Sequence, residues 1–160
     1  MRQTGVDTPA LPPDQPAPTE ARYHRAGDPW PLYASLEAET VWAEWSAATR
    51  GAVDPSTERR RLWRIDVNGL RVLDLRRPEV LSGLGVELAD LVGARAGAQA
   101  LAERARRLGA EGMLVPSAAR AGSWNLVVFP SAFARLSVAG SSATRPKPPG
   151  QPSRRRISSG

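Results

Sequence analysis

Cysteine is absent from the 160 residues of the chain, and histidine occurs only once, at His24. The missing thiols exclude a disulfide framework, a thiolate metal site and a cysteine nucleophile. A single imidazole removes the common histidine-based zinc sites as well, and a serine–histidine–acid triad would have to be built around His24. We therefore expect neither a metal centre nor a hydrolase of the serine-triad class.

Long apolar runs are also missing from the sequence. No stretch approaches the roughly 18 consecutive apolar residues that a membrane-spanning helix needs. Residues 1–8 lack the apolar block of a secretory signal. These two absences predict a cytoplasmic protein with no membrane partner.

Positive charge is distributed unevenly along the chain. The formal net charge is +6, yet the last 22 residues hold five basic side chains and no acidic one. Residues 21–138, with 16 basic and 13 acidic side chains, are close to balance. The folded part therefore lacks the strongly basic composition typical of nucleic-acid binding, and nucleic acid is expected to contact the tail if it contacts the protein at all.

Proline, glycine and serine divide the chain into three parts. Residues 1–20 contain five prolines among small and polar residues, a composition that predicts a disordered leader. Residues 139–160 combine serine, proline and glycine with arginine and predict a disordered basic tail. Residues 21–138 are long enough for a single domain with its own core.

The hydrophobic pattern of the first half of this domain predicts one helix and two strands. Apolar residues recur with helical spacing after Ser35, a potential N-terminal cap, until about Gly51. Residues 62–67 and 71–75 are short β-prone runs on either side of Asn68-Gly69. This dipeptide favours a two-residue hairpin turn, and a longer crossover is the alternative.

The second half repeats the alternation of helix and strand. Residues 98–108 predict another amphipathic helix with Gly109 as its carboxyl cap. Residues 113–115, 126–129 and 136–138 are strand candidates. These elements predict an α+β domain with short mixed strands and two main helices.

Two arginines and a tyrosine precede or begin the first helical region. Arg22 and Arg25 lie in a turn-rich segment, and arginine presents a planar fork that suits phosphate or carboxylate. The segment can therefore hold an anion, and solvated arginines in a turn are the alternative. Tyr33 stands at the expected end of a short strand, where its ring could face a ligand or fill the core.

An acid, a hydroxyl and an amide complete the candidate site residues. Glu44 lies at the margin of the helical apolar stripe, between Trp42 and Trp45, where a carboxylate loses hydration and needs a partner. That partner can be a structural arginine or a ligand. Ser117 follows the strand at 113–115, where it can bind a ligand or close its own turn, and Asn125 precedes the next strand.

The order of these segments resembles the RES domain family, named for its arginine, glutamate and serine. Members tend to show an arginine-to-glycine segment, a Leu-Tyr pair, a helix with Ala-Glu, a Leu-Asp-Leu strand, and a late Pro-Ser followed by a hydrophobic strand ending in Phe. The corresponding segments here, within residues 21–130, are Arg22 to Gly27, Leu32-Tyr33, Ala43-Glu44, Leu73-Asp74-Leu75, Gly112 to Ser117 and Asn125 to Phe129.

Two departures from the family pattern concern the arginines. Tyr23-His24-Arg25 stands where the family more often has an aromatic residue followed by Asn-Pro, so either Arg22 or Arg25 is the functional arginine. Many members also have an upstream strand with its own Tyr-Arg, and here the proline-rich leader occupies that place. Either Arg25 takes over that role or the domain is a minimal version.

The resemblance implies an ADP-ribosyltransferase-like fold and a toxin that degrades its substrate NAD at the nicotinamide–ribose bond, with an Xre-type helix-turn-helix antitoxin as partner. Breaking this bond leaves an oxocarbenium-like ribosyl centre, which needs a carboxylate near the sugar and cationic donors near the pyrophosphate. By this resemblance the NAD-binding and catalytic residues are Arg22 or Arg25 on the pyrophosphate or ribose, Tyr33 on the nicotinamide, Glu44 on the ribosyl cation, Ser117 on a phosphate or carboxamide, and Asn125. No metal is expected.

The residues leave the acceptor of the ribosyl group open. Water would make the protein a hydrolase, inorganic phosphate a phosphorylase, and a protein side chain an ADP-ribosyltransferase. A different class of function is a non-catalytic binding module whose basic tail contacts nucleic acid. Salt-sensitive DNA binding that depends on residues 139–160, without NAD turnover, would indicate this last function.

Overall fold

The computed structural model describes residues 1–50, 52–54 and 57–144. The elements, in chain order, are β1 (Arg2–Gly5), β2 (Leu32–Ser35), α1 (Ala38–Thr49), β3 (Arg60–Val67), β4 (Val72–Asp74), α2 (Pro78–Leu84), α3 (Leu88–Val92), α4 (Arg95–Arg107), β5 (Gly112–Pro116), β6 (Trp124–Val128), a 3-10 helix (Pro130–Arg135) and β7 (Leu136–Thr144). This composition confirms the predicted α+β class. The two main helices are α1 and α4, with 12 and 13 residues.

The strands form two sheets. One sheet has three antiparallel strands in the order β1-β3-β7. The other has four strands in the order β2-β6-β5-β4, and only its β4–β5 pair is parallel. Helix α1 packs against both β1 and β2, so it lies where the three-stranded sheet meets the four-stranded sheet.

Alternating side chains of the four-stranded sheet form two apolar clusters. Met113, Val115 and Val127 belong to the cluster that also contains the buried face of α4. Leu126 and Val128 belong to the other cluster, which includes Ile65 of β3 and thus joins the two sheets. Successive strand residues point to opposite faces, so this pattern is the expected result of a sheet covered on both sides.

Helix α4 confirms the amphipathic pattern of residues 98–108. Its buried residues include Ala98, Leu101 and Ala105, and three arginines lie in its last turn. The helix ends because Gly109 adopts a left-handed conformation with φ 77°, which glycine reaches without the steric cost of a Cβ. The N–H of Ala110 then donates to the carbonyl of Ala105.

The predicted disordered leader is partly wrong. Residues 2–5 form β1, which pairs with β3, and Ala10, Pro12 and Ala17 of the proline-rich segment are buried. The composition of the segment does not predict this strand, because β1 gains its hydrogen bonds from a strand nearly sixty positions later in the chain. The predicted tail also begins too early, since β7 continues to Thr144; residues 145–160 lie outside the described part of the chain.

Two local predictions are also corrected. The strands on either side of Asn68-Gly69 do not form a hairpin, because β3 belongs to the three-stranded sheet and β4 to the four-stranded sheet. The crossover alternative is the one observed. Ser35 does not cap α1, because it ends β2 and donates its hydroxyl to Asn125; Glu37 occupies the cap position without a side-chain bond.

In the described ranges 1–50, 52–54 and 57–144, no helix combines the length and apolar composition that crossing a membrane requires.

Candidate active site

Glu44 lies in the middle of α1 and is fixed by two short hydrogen bonds. The hydroxyl of Ser117 and the amide Nδ2 of Asn125 both donate to its Oε1, each at 2.6 Å. No described residue donates a hydrogen bond to the second oxygen, Oε2. One carboxylate oxygen is therefore held by the protein, and the other is free to accept a proton donor from a ligand.

Asn125 links the four-stranded sheet to Glu44. It begins the β6 segment that pairs with β2, and its register partner is Ser35. The hydroxyl of Ser35 donates to Oδ1 of Asn125 at 2.6 Å, which fixes the amide so that Nδ2 points to Glu44. Both ends of the amide are therefore used inside the protein.

Ser117 closes a turn and contacts Glu44 at the same time. Its Oγ accepts the backbone N–H groups of Ala119 and Arg120, at 3.2 and 3.1 Å, while it donates to Glu44. The residue is 5% exposed. Of the two alternatives for this serine, turn closure is the one observed, and the same hydroxyl also holds Glu44, because a hydroxyl can accept two bonds and donate one.

A cavity of about 400 Å³ opens beside Glu44, between α1, β1, β2 and the loop that precedes β2. Among the predicted site residues, Arg22, Tyr33, Glu44 and Asn125 line it. Ser117 does not line the cavity, and its hydroxyl bonds Glu44 outside it. The volume lies in the range of small-molecule sites.

Arg22 is anchored to the C-terminal end of α3 and to the residue that follows it. Its Nη1 donates to the carbonyls of Leu91 and Gly93, at 3.3 and 2.9 Å. Both bonds leave from the same nitrogen, and the other nitrogens of this cavity-lining guanidinium have no hydrogen-bond partner in the described part of the chain. Arginine held in this way can present its remaining N–H groups to an anion without losing further side-chain entropy.

Arg25 is not among the residues that line the cavity. Its guanidinium lies on the surface, 3.5 Å from the carboxylate of Glu103 on α4. Both side chains are exposed, and such pairs contribute little to stability. Of the two arginines left open by the sequence, Arg22 is therefore the one that the fold brings to Glu44.

Arg2 was missed by the sequence analysis and also lines the cavity. It lies on β1, and its Nη1 is buried without a hydrogen-bond partner among the described residues. Burial lowers the pKa of Arg2 to about 10. A buried donor without a partner costs free energy, and an anion that accepts a hydrogen bond from this nitrogen would offset that cost. No periodicity in residues 1–8 signals this arginine, since the strand that carries it is only four residues long.

The cavity thus combines one oriented carboxylate with two guanidinium groups and three aromatic side chains, those of Trp30, Tyr33 and Trp45. The carboxylate can stabilise a positive centre, and the guanidinium groups can bind phosphate oxygens. These groups suit a ligand that carries anionic groups and develops positive charge.

Comparisons with known proteins give the family of this chain. The model of the RES domain matches residues 3–147. A probable NAD(+) phosphorylase of Mycobacterium tuberculosis is 35% identical over 134 residues, which cover 83% of this chain and 65% of that protein, so the chain spans slightly less than two thirds of that relative. A chain in the crystal structure of the M. tuberculosis MbcT–MbcA toxin–antitoxin complex is 29% identical, with a TM-score of 0.73 and coverage of 91% of this chain and 82% of the other. The match over nearly the entire described chain shows that this protein belongs to the RES domain family.

Proposed function

We propose that this protein cleaves the nicotinamide–ribose bond of NAD. The observation that carries the proposal is the carboxylate of Glu44, oriented by Ser117 and Asn125 at the edge of a cavity that Arg2 and Arg22 also line. The name of the M. tuberculosis relative, a probable NAD(+) phosphorylase, supports NAD as the substrate.

The proposed reaction breaks one carbon–nitrogen bond. The bonding electron pair leaves with the nicotinamide nitrogen, which becomes neutral, and the ribose carbon gains oxocarbenium character. Glu44 stabilises this positive charge and accepts a ribose hydroxyl through Oε2. An oxygen of the acceptor then bonds to the same carbon, and its proton passes to the solvent.

The two arginines hold the opposite end of the substrate. Arg2 and Arg22 bind pyrophosphate oxygens through N–H groups that the protein leaves available. Tyr33 packs against the nicotinamide from the β2 side of the cavity. Ser117 and Asn125 act on Glu44 and hold its carboxylate, which replaces the direct ligand contacts expected for them from the resemblance.

The acceptor distinguishes three related enzymes, and we propose inorganic phosphate, following the name of the relative. The test is to incubate purified protein with NAD, with and without phosphate, and to measure free nicotinamide and the ribosyl product by mass spectrometry. Release of nicotinamide with a phosphorylated ADP-ribose only when phosphate is present supports phosphorolysis. Free ADP-ribose would identify a hydrolase, a labelled protein would identify an ADP-ribosyltransferase, and no nicotinamide in any condition would refute the proposal.

We further propose that the protein is a cytoplasmic toxin that is neutralised by an antitoxin. The similar chain in the MbcT–MbcA toxin–antitoxin complex supports such a partner, and the Xre-type helix-turn-helix class is the expected form of it. Expression of the protein alone should deplete cellular NAD and stop growth. Co-expression with a small helix-turn-helix protein encoded beside it should restore both; growth arrest without NAD depletion would contradict the proposed mechanism.

A further inference from the structure

His24 is a buried residue whose two ring nitrogens both have partners. It is 4% exposed. Its Nε2 lies 3.0 Å from the carbonyl oxygen of Thr19, and its Nδ1 lies 2.9 Å from the hydroxyl of Tyr33. Because the chain contains no other histidine, this pair of contacts defines the environment of the only imidazole in the protein.

The partners determine where the protons lie. A carbonyl oxygen can only accept, so Nε2 carries the proton that bonds Thr19. In the neutral ring Nδ1 is then an acceptor, and the hydroxyl of Tyr33 donates to it. Burial raises the pKa of Tyr33, so the phenol keeps the proton that this bond requires.

The hydroxyl of Tyr33 has a second partner inside the protein. Its oxygen accepts the backbone N–H of Tyr23 at 3.2 Å. The donated proton and this accepted bond both tie the hydroxyl to the segment that carries His24. The part of Tyr33 that remains to meet a ligand in the cavity is its ring.

The segment that holds His24 is itself fixed to α4. Gln99, which is buried, donates through Nε2 to the backbone carbonyls of Ala21 and His24, at 3.0 and 3.2 Å. Tyr33 is therefore connected through His24 and Gln99 to α4, one of the two main helices of the domain.

We propose that His24 is a positioning residue that holds the ring of Tyr33 at the cavity wall by accepting a hydrogen bond from its hydroxyl, so that Tyr33 binds the nicotinamide of NAD through its ring face and not through its hydroxyl. This inference rests on the proposed function. The nicotinamide ring of NAD carries a positive charge, and a cation is attracted to the face of an aromatic ring. The attraction ends when the bond breaks, because the released nicotinamide is neutral.

Two substitutions of similar polarity separate this role from a general structural one. In His24→Asn the side-chain oxygen is attached to the same carbon as Nδ1 is in histidine, so it can still accept a hydrogen bond from the Tyr33 hydroxyl. In His24→Gln the amide lies one carbon further out, towards the Thr19 side, and the bond to Tyr33 is lost. We expect His24→Asn to keep the KM for NAD within about twofold of the parent, and His24→Gln to raise KM by about 3- to 10-fold, the effect of one hydrogen bond.

Tyr33→Phe tests whether the effect passes through the hydroxyl. This variant keeps the ring and should raise KM as His24→Gln does. Adding His24→Gln to Tyr33→Phe should then change KM by less than about twofold, because the two substitutions remove the same bond. Additive effects in the double variant, or equal effects of His24→Asn and His24→Gln in proteins that melt at the parent temperature, would overturn the proposal.

A measurement without substrate keeps the inference separate from the proposed function. The untagged protein gives a single set of histidine ring signals in a nitrogen-15 NMR spectrum, since it has one histidine. We expect a protonated Nε2 and an unprotonated Nδ1 whose shift moves in Tyr33→Phe. If the parent releases no nicotinamide, the proposed function fails whatever the spectrum shows; a protonated Nδ1, or no response to Tyr33→Phe, refutes the role of His24 even in an active enzyme.

Discussion

Replacing Ser117 with alanine should lower both kcat and the melting temperature, because it removes a single atom, Oγ. The lost Oγ donates to Glu44 at 2.6 Å and accepts two backbone N–H groups of its own turn. A hydrogen bond to a charged group contributes about 1.5–3 kcal/mol, which corresponds to about 10- to 150-fold in rate if all of it acts in the transition state. Asn125 still holds the same carboxylate oxygen, so we expect the lower end, about a tenfold loss of kcat.

The assay is steady-state release of nicotinamide, run beside thermal unfolding. Ser123→Ala is the matched control, because Ser123 is a buried serine of the same turn whose carbonyl, not its side chain, bonds the N–H of Ser117. Ser117→Ala should lose rate and a few degrees of melting temperature, while Ser123→Ala should keep the parent rate. Parent kcat in Ser117→Ala would refute the inference that this serine positions Glu44.

Three further predictions concern an anion contact, a close strand approach and an acid-sensitive carboxylate. Arg2→Ala should raise the KM for NAD by about 10-fold or more, because a charge-assisted bond is lost, whereas Arg25→Ala, on the surface, should change it less than about twofold; equal effects would contradict the assignment. Gly112→Ala should lower the free energy of unfolding by about 1–3 kcal/mol in a denaturant titration, because its Cβ would lie 2.7 Å from a carbonyl oxygen of β6. The control is Gly97→Ala in α4, where a Cβ meets open space, and this variant should not destabilise the protein. The pKa of Glu111 is held below its ordinary 4.5, chiefly by the backbone N–H of Arg71. The ionised carboxylate therefore stabilises the fold above pH 4.5, and this contribution is lost as the pH falls through the folded pKa. Glu111→Gln should reduce the drop in melting temperature at acid pH, and an unchanged drop would exclude this role of Glu111.

The parts of the fold that follow from the sequence are those with a local period. The α4 pattern and the apolar runs of β5 and β6 are visible in single segments, because α4 buries one face while the two strands bury both faces, one in each apolar cluster. The family resemblance assigned Glu44 and Ser117 to one NAD site, but it did not predict the hydrogen bond between them. That contact joins α1 to the residue that follows β5, 73 positions later in the chain, and no local pattern encodes it.

The parts that could not be predicted depend on pairing between distant segments. Strand β1 has four residues and becomes a strand only when β3 supplies its hydrogen bonds, so Arg2 has no recognisable signature in the sequence. Asn68-Gly69 has the residues of a hairpin turn, and Gly69 does adopt a positive φ of 61°. The strands on either side nevertheless separate, because sheet pairing overrides the local turn preference.

The most direct test of the central claim is the rate at which Glu44→Gln releases nicotinamide from NAD, compared with the parent protein. Glutamine keeps an acceptor for Ser117 and Asn125 and removes the charge, so the melting temperature should change little. The rate should fall by about 10²- to 10³-fold if the carboxylate stabilises the ribosyl cation. A folded Glu44→Gln protein that consumes NAD at the parent rate would contradict the proposed chemistry.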